Sequence, residues 1–189
     1  MKKRKILIVT ERRADFSRFK PVLDKIKKDK ELDYILVVTG IHLLKKYGYS
    51  VDEIKKTKIK IHHQFKMYSN VSVKNDDGAS MVAAFGTAII NLSKILKKYK
   101  PDIVLSGFDI AANFAVTVAA AHMNIPVAHI QGGEVSGTID ESIRHAMSKF
   151  SHYHLVSNRD AYKRLVKMGE KKSKIHIVGC PSIEALFNE

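Results

Sequence analysis

Short apolar runs alternate with amphipathic segments along the whole chain, and this alternation restricts the folds that it can adopt. The runs are rich in β-branched residues, as in KILIV at 5–9 and IPVAHI at 125–130. Apolar residues at helical spacing follow them, beginning with Phe16, Phe19 and Leu23. Strands that alternate with helices predict βαβ units and a parallel sheet, and continuous apolar strands predict helices on both faces. We therefore predict an α/β fold with a doubly wound, mostly parallel, Rossmann-like sheet, formed as a single domain over residues 1–189.

The same pattern places the individual elements. Strands are predicted at 5–9, 33–40, 59–67, 102–107, 125–130, 152–157 and 174–179. Helices are predicted at 16–28, 81–99, 111–123, 140–150 and 159–169, with one or two short helices over 42–56. Residues 69–78 form a polar loop in this scheme, with a turn at Asp77 and Gly78. No strand is followed by GxGxxG, so the dinucleotide-binding fingerprint is absent from the sequence.

Charge and composition narrow the possible partners. The formal net charge is +14, from 33 Lys and Arg against 19 Asp and Glu. The lysines fall mainly at the solvated ends of amphipathic helices and in connecting segments, which favours a basic surface over a nucleic-acid interface. A nucleotide substrate would also benefit from this positive field. The sequence contains no apolar run of 18 residues, no signal-peptide core and one cysteine, Cys180. We therefore expect a cytoplasmic protein without a membrane span or an internal disulfide.

Polar, charged and glycine residues recur where the predicted strands end. Each has a structural explanation alone, since Asp15 and Asp109 could cap helices and the glycines could serve turns. Because parallel strands end at one edge of a sheet, where α/β proteins bind ligands, we expect the set to form a site. Its members are Arg12, Arg13, Asp15, Thr39, Gly40, His42, Gly107, Asp109, Gln131, Gly132, Gly133, Glu134, Ser157 and Asn158.

The richest of these strand ends is HIQGGEVSGTIDESIR at 129–144, which brings Glu134, Asp140 and Glu141 behind a buried strand. Asp140 and Glu141 also suit the first turn of a helix, where carboxylates complement the helix dipole. Several carboxylates around one ligand would shift one another's pKa values and divide acid from base roles. The stretch therefore predicts acid–base chemistry.

At these residues the chain resembles the UDP-N-acetylglucosamine 2-epimerases, especially the branch that hydrolyses the sugar nucleotide in sialic-acid-type pathways. The resemblance covers the whole chain. It rests on RRAD at 12–15, VTGIH at 38–42, LSGFD at 105–109, the stretch from His129 to Asn158, and VGCPSIEAL at 178–186. It implies a glycosyltransferase-B-type protein of two Rossmann-like halves, of which this chain matches the N-terminal half. The C-terminal domain or subunit is then a partner, and a homo-oligomer is expected.

The resemblance also implies a reaction and its residues. The C2 proton is removed and UDP leaves C1, which gives a glycal to which the hydrolysing branch adds water. No metal or redox cofactor takes part. The implied catalytic groups are Asp109 with Glu134, Asp140 and Glu141, and Glu141 matches a functional position of the family. The implied substrate-binding residues are Arg13, His42, Gln131, Gly132, Gly133, Ser136, Arg144 and His145.

Two departures from the family pattern stand at this site. Gln131 occupies a position where many members carry an acid, and glutamine cannot remove a proton at neutral pH. Ile110 stands where an arginine often follows the aspartate, so Asp109 lacks that charged neighbour in the sequence. For Arg144, a structural alternative to substrate binding is a surface ion pair with Glu141, one helical turn away.

Three functional alternatives remain open from sequence. The chain could be the N-terminal domain of a full epimerase, taken as a fragment. It could be a short protein that is completed by a separate C-terminal subunit or by self-association. It could also be a non-catalytic sugar-nucleotide binder, as Gln131 and Ile110 would allow. A nucleic-acid-binding domain is a distant fourth, because the sequence has no recognition motif or aromatic platform.

Overall fold

A computed structural model describes residues 3–68 and 77–183. The strands are β1 (Arg4–Thr10), β2 (Leu32–Val38), β3 (His63–Gln64), β4 (Ile103–Gly107), β5 (Val127–Ile130), β6 (Tyr153–Val156) and β7 (Ile175–Ile177). The α-helices are α1 (Arg13–Lys28), α2 (Val51–Lys56), α3 (Gly78–Tyr99), α4 (Ala111–His122), α5 (Ile139–Phe150) and α6 (Arg159–Lys167). Short 3₁₀ turns lie at Gly40–Leu43, Lys45–Tyr47 and Lys172–Lys174.

The seven strands form one sheet in the order β3-β2-β1-β4-β5-β6-β7, and every described pair is parallel. This order reverses direction between β1 and β4, which makes the gap between their carboxyl ends the topological switch point. The predicted doubly wound, Rossmann-like α/β fold is thereby confirmed. The extent of the domain over residues 1–189 stays a prediction, because residues 1–2, 69–76 and 184–189 lie outside the described part.

Alternate residues of the strands pack into two apolar layers, one on each face of the sheet. Leu7, Val9 and Val37 pack with α3 and α4 on one face of the sheet. Ile8 and Leu36 pack with Phe19 of α1 and the α2 region on the other face. Because successive strand side chains point to opposite faces, the continuous apolar runs of the sequence supply both layers.

Two element boundaries differ from the sequence predictions. The strand predicted at 59–67 is reduced to His63 and Gln64, which pair with the end of β2. As the edge strand it has one partner, and Ile59 reaches the apolar layer from irregular chain. The helix predicted from residue 81 begins at Gly78, because the Asp77 side chain accepts a hydrogen bond from the Ser80 amide at 2.8 Å and caps it. The rest of the predicted polar loop, residues 69–76, lies outside the described residues.

Helix α3 meets, by length and composition alone, the requirement for a helix that crosses a membrane. The sequence expectation was that no segment does so. Its buried residues, including Ala88 and Leu92, pack with α4 against the sheet. One side of the helix therefore packs in the protein, while Val82 and Ile90 on its other side are exposed.

Candidate active site

The predicted site residues gather at the carboxyl edge of the sheet, as expected for parallel strands. Asp109 follows β4, the segment from Gln131 to Glu134 follows β5, and Ser157 follows β6. Helix α5 then carries Asp140, Glu141, Arg144 and His145 back over this edge. The loops after β1 and β4 flank the switch point itself.

Arg144 connects the strand-end loops. Its Nη2 donates to Asp109 Oδ2, and its Nη1 donates to the Glu134 carbonyl oxygen at 2.9 Å. The Ser136 hydroxyl lies 3.4 and 3.5 Å from the two terminal nitrogens. The side chains of Arg144 and Asp109 are only 10% and 14% exposed, so solvent screens this ion pair weakly. The alternative in which Arg144 pairs with Glu141 on the helix surface is wrong, because the guanidinium points inward to Asp109.

The contact between Arg144 and Asp109 also supplies the charged partner that Ile110 cannot provide. The sequence lacks an arginine next to Asp109, and the side chain of Ile110 is buried. Arg144 supplies the positive charge from another element, 35 residues further along the chain. A guanidinium in this position fixes the direction in which the Asp109 carboxylate faces.

The loop after β5 is fixed by close backbone packing. Gly133 has φ +78°, and a Cβ added there would lie 2.6 Å from the Ala161 carbonyl oxygen. Its own carbonyl accepts a hydrogen bond from Arg164. Gln131 also has a positive φ, and its Nε2 donates to Cys180 Sγ at 3.2 Å. The Gln131 amide is therefore engaged with the 178–181 segment.

The three remaining acids have different surroundings. Glu134 Oε1 accepts a hydrogen bond from the Ser157 hydroxyl at 2.5 Å. Glu141 Oε2 accepts hydrogen bonds from the Gly137 and Ser136 amides, both at 2.9 Å, and these bonds hold the pKa of Glu141 below its usual range. Asp140 is exposed in the first turn of α5. Glu141 therefore holds the loop in place, whereas the Asp140 side chain is exposed to solvent.

Arg13 and His42 lie on the β1–β2 side of the switch point. Arg13 is exposed and forms an ion pair with Glu53 of α2. His42 is fully buried, with Nε2 3.0 Å from the Thr10 hydroxyl and Nδ1 2.7 Å from the Ser50 hydroxyl. Burial lowers the pKa of His42 to about 4, so the ring is neutral. Both ring nitrogens are used within the protein, and a substrate contact of His42 stays a prediction.

Asp15 has the structural role that the sequence left open. Its Oδ2 accepts hydrogen bonds from the amides of Glu11 and Arg12 at 3.0 and 2.9 Å, which caps α1. Burial raises the pKa of Asp15 to about 6, against the lowering effect of these hydrogen bonds.

Sequence reasoning missed two buried polar residues near the site. Glu11, the first residue after β1, is 6% exposed and contacts the start of α4. His129 in β5 is fully buried, with Nδ1 3.1 Å from the Ser148 hydroxyl, and burial lowers its pKa to about 3. The signal for Glu11 was its position at the end of a central strand, directly before residues that were singled out. His129 gave no signal beyond its place in an apolar run.

Among the described residues, 3–68 and 77–183, no cluster of three or more His, Cys, Asp or Glu side chains could hold a metal ion.

Replacing Arg144 by methionine should destabilise the chain, because it leaves the largely buried Asp109 carboxylate without its partner. We expect the free energy of unfolding to fall by about 3 kcal/mol, measured by urea denaturation. Met at the exposed Arg159 is the matched control and should change it by less than about 0.5 kcal/mol. The double variant R144M/D109N should lose less than the sum of the single losses, and strict additivity would refute the ion pair.

The strand order and the carboxylate–arginine site define this chain as a Rossmann-like domain with the architecture of one half of a glycosyltransferase-B-type protein. The crystal structure of a UDP-N-acetylglucosamine 2-epimerase superposes with a TM-score of 0.84 at 25% identity, over 98% of this chain and 51% of that one. The Neisseria meningitidis UDP-GlcNAc 2-epimerase bound to UDP-GlcNAc gives the same TM-score at 23% identity, over 97% and 48%. The second likeness shows the fold alone.

Sequence comparison gives the family. Residues 24–189 match the family described as UDP-N-acetylglucosamine 2-epimerase, and the chain belongs to this family. The UDP-N,N'-diacetylbacillosamine 2-epimerase (hydrolyzing) of Legionella pneumophila is 39% identical over 184 residues, which are 97% of this chain and 48% of that protein. The UDP-N-acetylglucosamine 2-epimerase of Neisseria meningitidis serogroup B is 39% identical over 183 residues, 97% and 47% respectively. The chain thus spans about half the length of the curated relatives that it matches.

Proposed function

We propose that this chain forms one wall of the active site of a hydrolysing UDP-N-acetylglucosamine 2-epimerase and that a second Rossmann-like domain forms the other wall. The observation that carries this proposal is the Arg144 contact, which joins Asp109 after β4 to the Glu134–Ser136 loop after β5 at the carboxyl edge of the sheet. The substrate is a UDP sugar with an N-acetyl group at C2, and its anionic diphosphate suits the chain's positive charge. The hydrolysing outcome is favoured because the Legionella relative, 39% identical, is named as hydrolyzing.

In the proposed reaction a carboxylate removes the proton from C2 while the C1–O bond to UDP breaks. The electron pair of the C2–H bond forms the C1–C2 double bond of the glycal, and UDP leaves with the C1–O electrons. Water then adds, with its oxygen to C1 and a proton to C2 from the opposite face, which gives N-acetylmannosamine. We assign Asp109 and Asp140 as the two acid–base groups, because Arg144 fixes the direction of the Asp109 carboxylate and Asp140 is exposed. The amides that hold the pKa of Glu141 low make it a weaker base, and the Ser157 hydroxyl holds Glu134.

Three finer assignments are part of the proposal. The product enters a sialic-acid-type pathway, the protein is cytoplasmic, and the working unit is a homo-oligomer. The residues proposed to contact the substrate are Arg13, His42, Gln131, Gly132, Gly133, Ser136, Arg144 and His145. No cofactor is proposed, because an elimination followed by hydration exchanges no electrons with a redox partner.

A release assay tests the activity. The chain is incubated alone, and as a chimera with the second half of the Legionella relative, with UDP-N-acetylglucosamine or its 4-acetamido, 6-deoxy analogue, UDP-N,N'-diacetylbacillosamine. We expect UDP release by the chimera and none by the isolated chain, since one wall cannot enclose the substrate. Failure of the chimera on both sugars would overturn the proposal.

The alternative is a non-catalytic sugar-nucleotide binder, which the replacement of an acid by Gln131 favours. Calorimetric titration of the chimera with the UDP sugars distinguishes the two. Binding without UDP release would support the binder, whereas binding with release excludes it.

Two neighbouring acids of α5 give a matched pair of variants. Asp140→Asn should lower the kcat of the chimera by about 100-fold, because it removes a proposed acid–base group. Glu141→Gln should lower it by about 10-fold or less, since a glutamine oxygen can still accept hydrogen bonds from the Ser136 and Gly137 amides. The measurement is the initial rate of UDP release at saturating substrate. Equal losses in the two variants, or a larger loss for E141Q, would contradict the assignment of Asp140.

A further inference from the structure

Glu11 is a buried carboxylate that the proposed reaction does not use, and it lies on the topological switch point. It directly follows β1 and is 6% exposed. Its Oε1 accepts a hydrogen bond from the Tyr68 hydroxyl and its Oε2 accepts one from the Ala112 amide, both at 2.9 Å. Both oxygens are therefore used, and the side chain joins the end of β1 to the first turn of α4. An anion at this position also complements the dipole of α4.

The surrounding backbone is built to hold this side chain. The Glu11 amide donates to Asp15 Oδ2 at 3.0 Å, and its carbonyl accepts from the His42 amide at 3.1 Å. Gly40 has φ +64°, and a Cβ on it would lie 2.0 Å from Glu11 Cγ. The absence of a side chain at residue 40 is thus what allows Glu11 to reach across to α4.

The loop that Glu11 holds is the one that carries Asp109. This loop runs from Gly107 at the end of β4 to Ala111 at the start of α4.

Before Asp109 in this loop, Phe108 has φ +62°, an uncommon conformation for a bulky residue. The Phe108 ring is buried, 4.8 Å from the Phe19 ring and beneath the Arg18 guanidinium. After Asp109, the hydrogen bond from the Ala112 amide to Glu11 Oε2 fixes the chain. Asp109 lies between these two anchors.

We infer that Glu11 is a positioning residue that sets the place of the Asp109 carboxylate through the first turn of α4, without touching the substrate. The expected effect of Glu11 on turnover rests on the proposed function. Its effect on the position of the Asp109 loop rests only on the hydrogen bonds to Ala112 and Tyr68. A misplacement of a catalytic group by about 1 Å can cost about 100-fold in rate.

Kinetics on the chimera provide the first test. Glu11→Ala should lower kcat by about 10- to 100-fold with less than a 3-fold change in KM, because the residue does not contact substrate. Glu11→Gln should restore kcat to within about 3-fold, since its carbonyl oxygen can accept from Ala112 and its amide can donate to the Tyr68 oxygen. Ala at the exposed Glu31 is the control and should leave both constants unchanged. An unchanged kcat in E11A, or a loss in KM alone, would overturn the inference.

A second variant moves Glu11 without altering it. Gly40→Ala places a methyl group on the Glu11 side chain and should lower kcat in the same way. In the double variant E11A/G40A, the loss of kcat should be smaller than the product of the two single losses, because the contact with Glu11 Cγ is gone and only the strain at φ +64° and the 2.9 Å approach to the Glu11 carbonyl oxygen remain. Losses that multiply in full would show that Gly40 acts independently and would contradict the proposed route.

Amide hydrogen exchange on the isolated chain tests the structural half without any activity. E11A should speed exchange at Ala112 by about 10-fold or more, since the amide loses its acceptor, and E31A should not. If the unsubstituted chimera releases no UDP, the proposed function fails while this readout still decides the role of Glu11. Unchanged exchange at residue 112 would refute the role of Glu11 whatever the activity.

Discussion

Asp109→Asn should lower the kcat of the chimera by about 100-fold or more, which is the usual contribution of a general acid or base. Asparagine has nearly the same shape and can still accept a hydrogen bond from Arg144 through its amide oxygen. It cannot take up the C2 proton at neutral pH. The binding of UDP sugar should change little, because the substitution keeps the size of the side chain. Initial rates of UDP release and calorimetric binding give the two quantities.

The control for this variant is Asp102→Asn at the opposite end of the same strand. Asp102 is exposed and its Oδ2 accepts a hydrogen bond from the Lys5 amide at 2.7 Å, far from the carboxyl edge. Turnover of D102N should equal that of the unsubstituted chimera. If D109N retained full turnover, the assignment of Asp109 would be wrong even though the chain belongs to the epimerase family.

Acidification from pH 7 to pH 5 should lower the free energy of unfolding by about 3 kcal/mol. His42 and His129 have folded pKa values of about 4 and about 3, against 6.5 when unfolded. Below pH 6.5 the unfolded chain therefore binds protons that the folded chain refuses, which removes about 1.4 kcal/mol per pH unit for each histidine. Asp15 has the opposite effect, because its folded pKa is raised from 3.8 to about 6 and the folded chain takes up its proton first as the pH falls. This uptake raises the free energy of unfolding by about 1 kcal/mol between pH 7 and pH 5.

Urea denaturation at the two pH values measures this loss. His129→Asn should reduce this loss between pH 7 and pH 5 by about 2 kcal/mol, since one of the buried rings with a lowered pKa (His42, His129 and His154) no longer titrates. His122→Gln, at an exposed position, should leave the difference unchanged. A difference that H129N does not reduce would mean that the acid sensitivity arises elsewhere.

Much of the fold followed from periodicity because each βαβ unit repeats the same physical requirement. An apolar run such as 5–9 has to be covered on both faces, so the following segment has to be an amphipathic helix. The edge strand was overestimated for a related reason. The pattern IKIHHQFKM predicts that its apolar residues are buried, and Ile59 and Phe65 are wholly and partly buried in the structure. The pattern does not tell whether a neighbouring strand is present to pair with the backbone.

The site was predictable to the level of its loops but not of its contacts. Parallel strands bring Asp109 and Glu134 to one edge whatever their sequence separation, so the strand pattern alone predicts that they share this edge. The pairing of Arg144 with Asp109 depends on how α5 crosses that edge, which local patterns do not contain. The role of Glu11 depends on the empty space at Gly40, a feature of two segments 29 residues apart. Charge spacing along one helix left an Arg144–Glu141 pair open as an alternative, which the inward direction of Arg144 excludes.

The most direct measurement of the central claim, that carboxylates at this edge drive elimination from a UDP sugar, is turnover of the chimera in D₂O. Proton NMR of the released sugar reports whether C2 carries hydrogen or deuterium. Elimination to a glycal predicts one solvent deuterium at C2 of an N-acetylmannosamine-type product, formed about 100-fold or more slowly by D109N. A released sugar that keeps its original hydrogen at C2 would contradict the account.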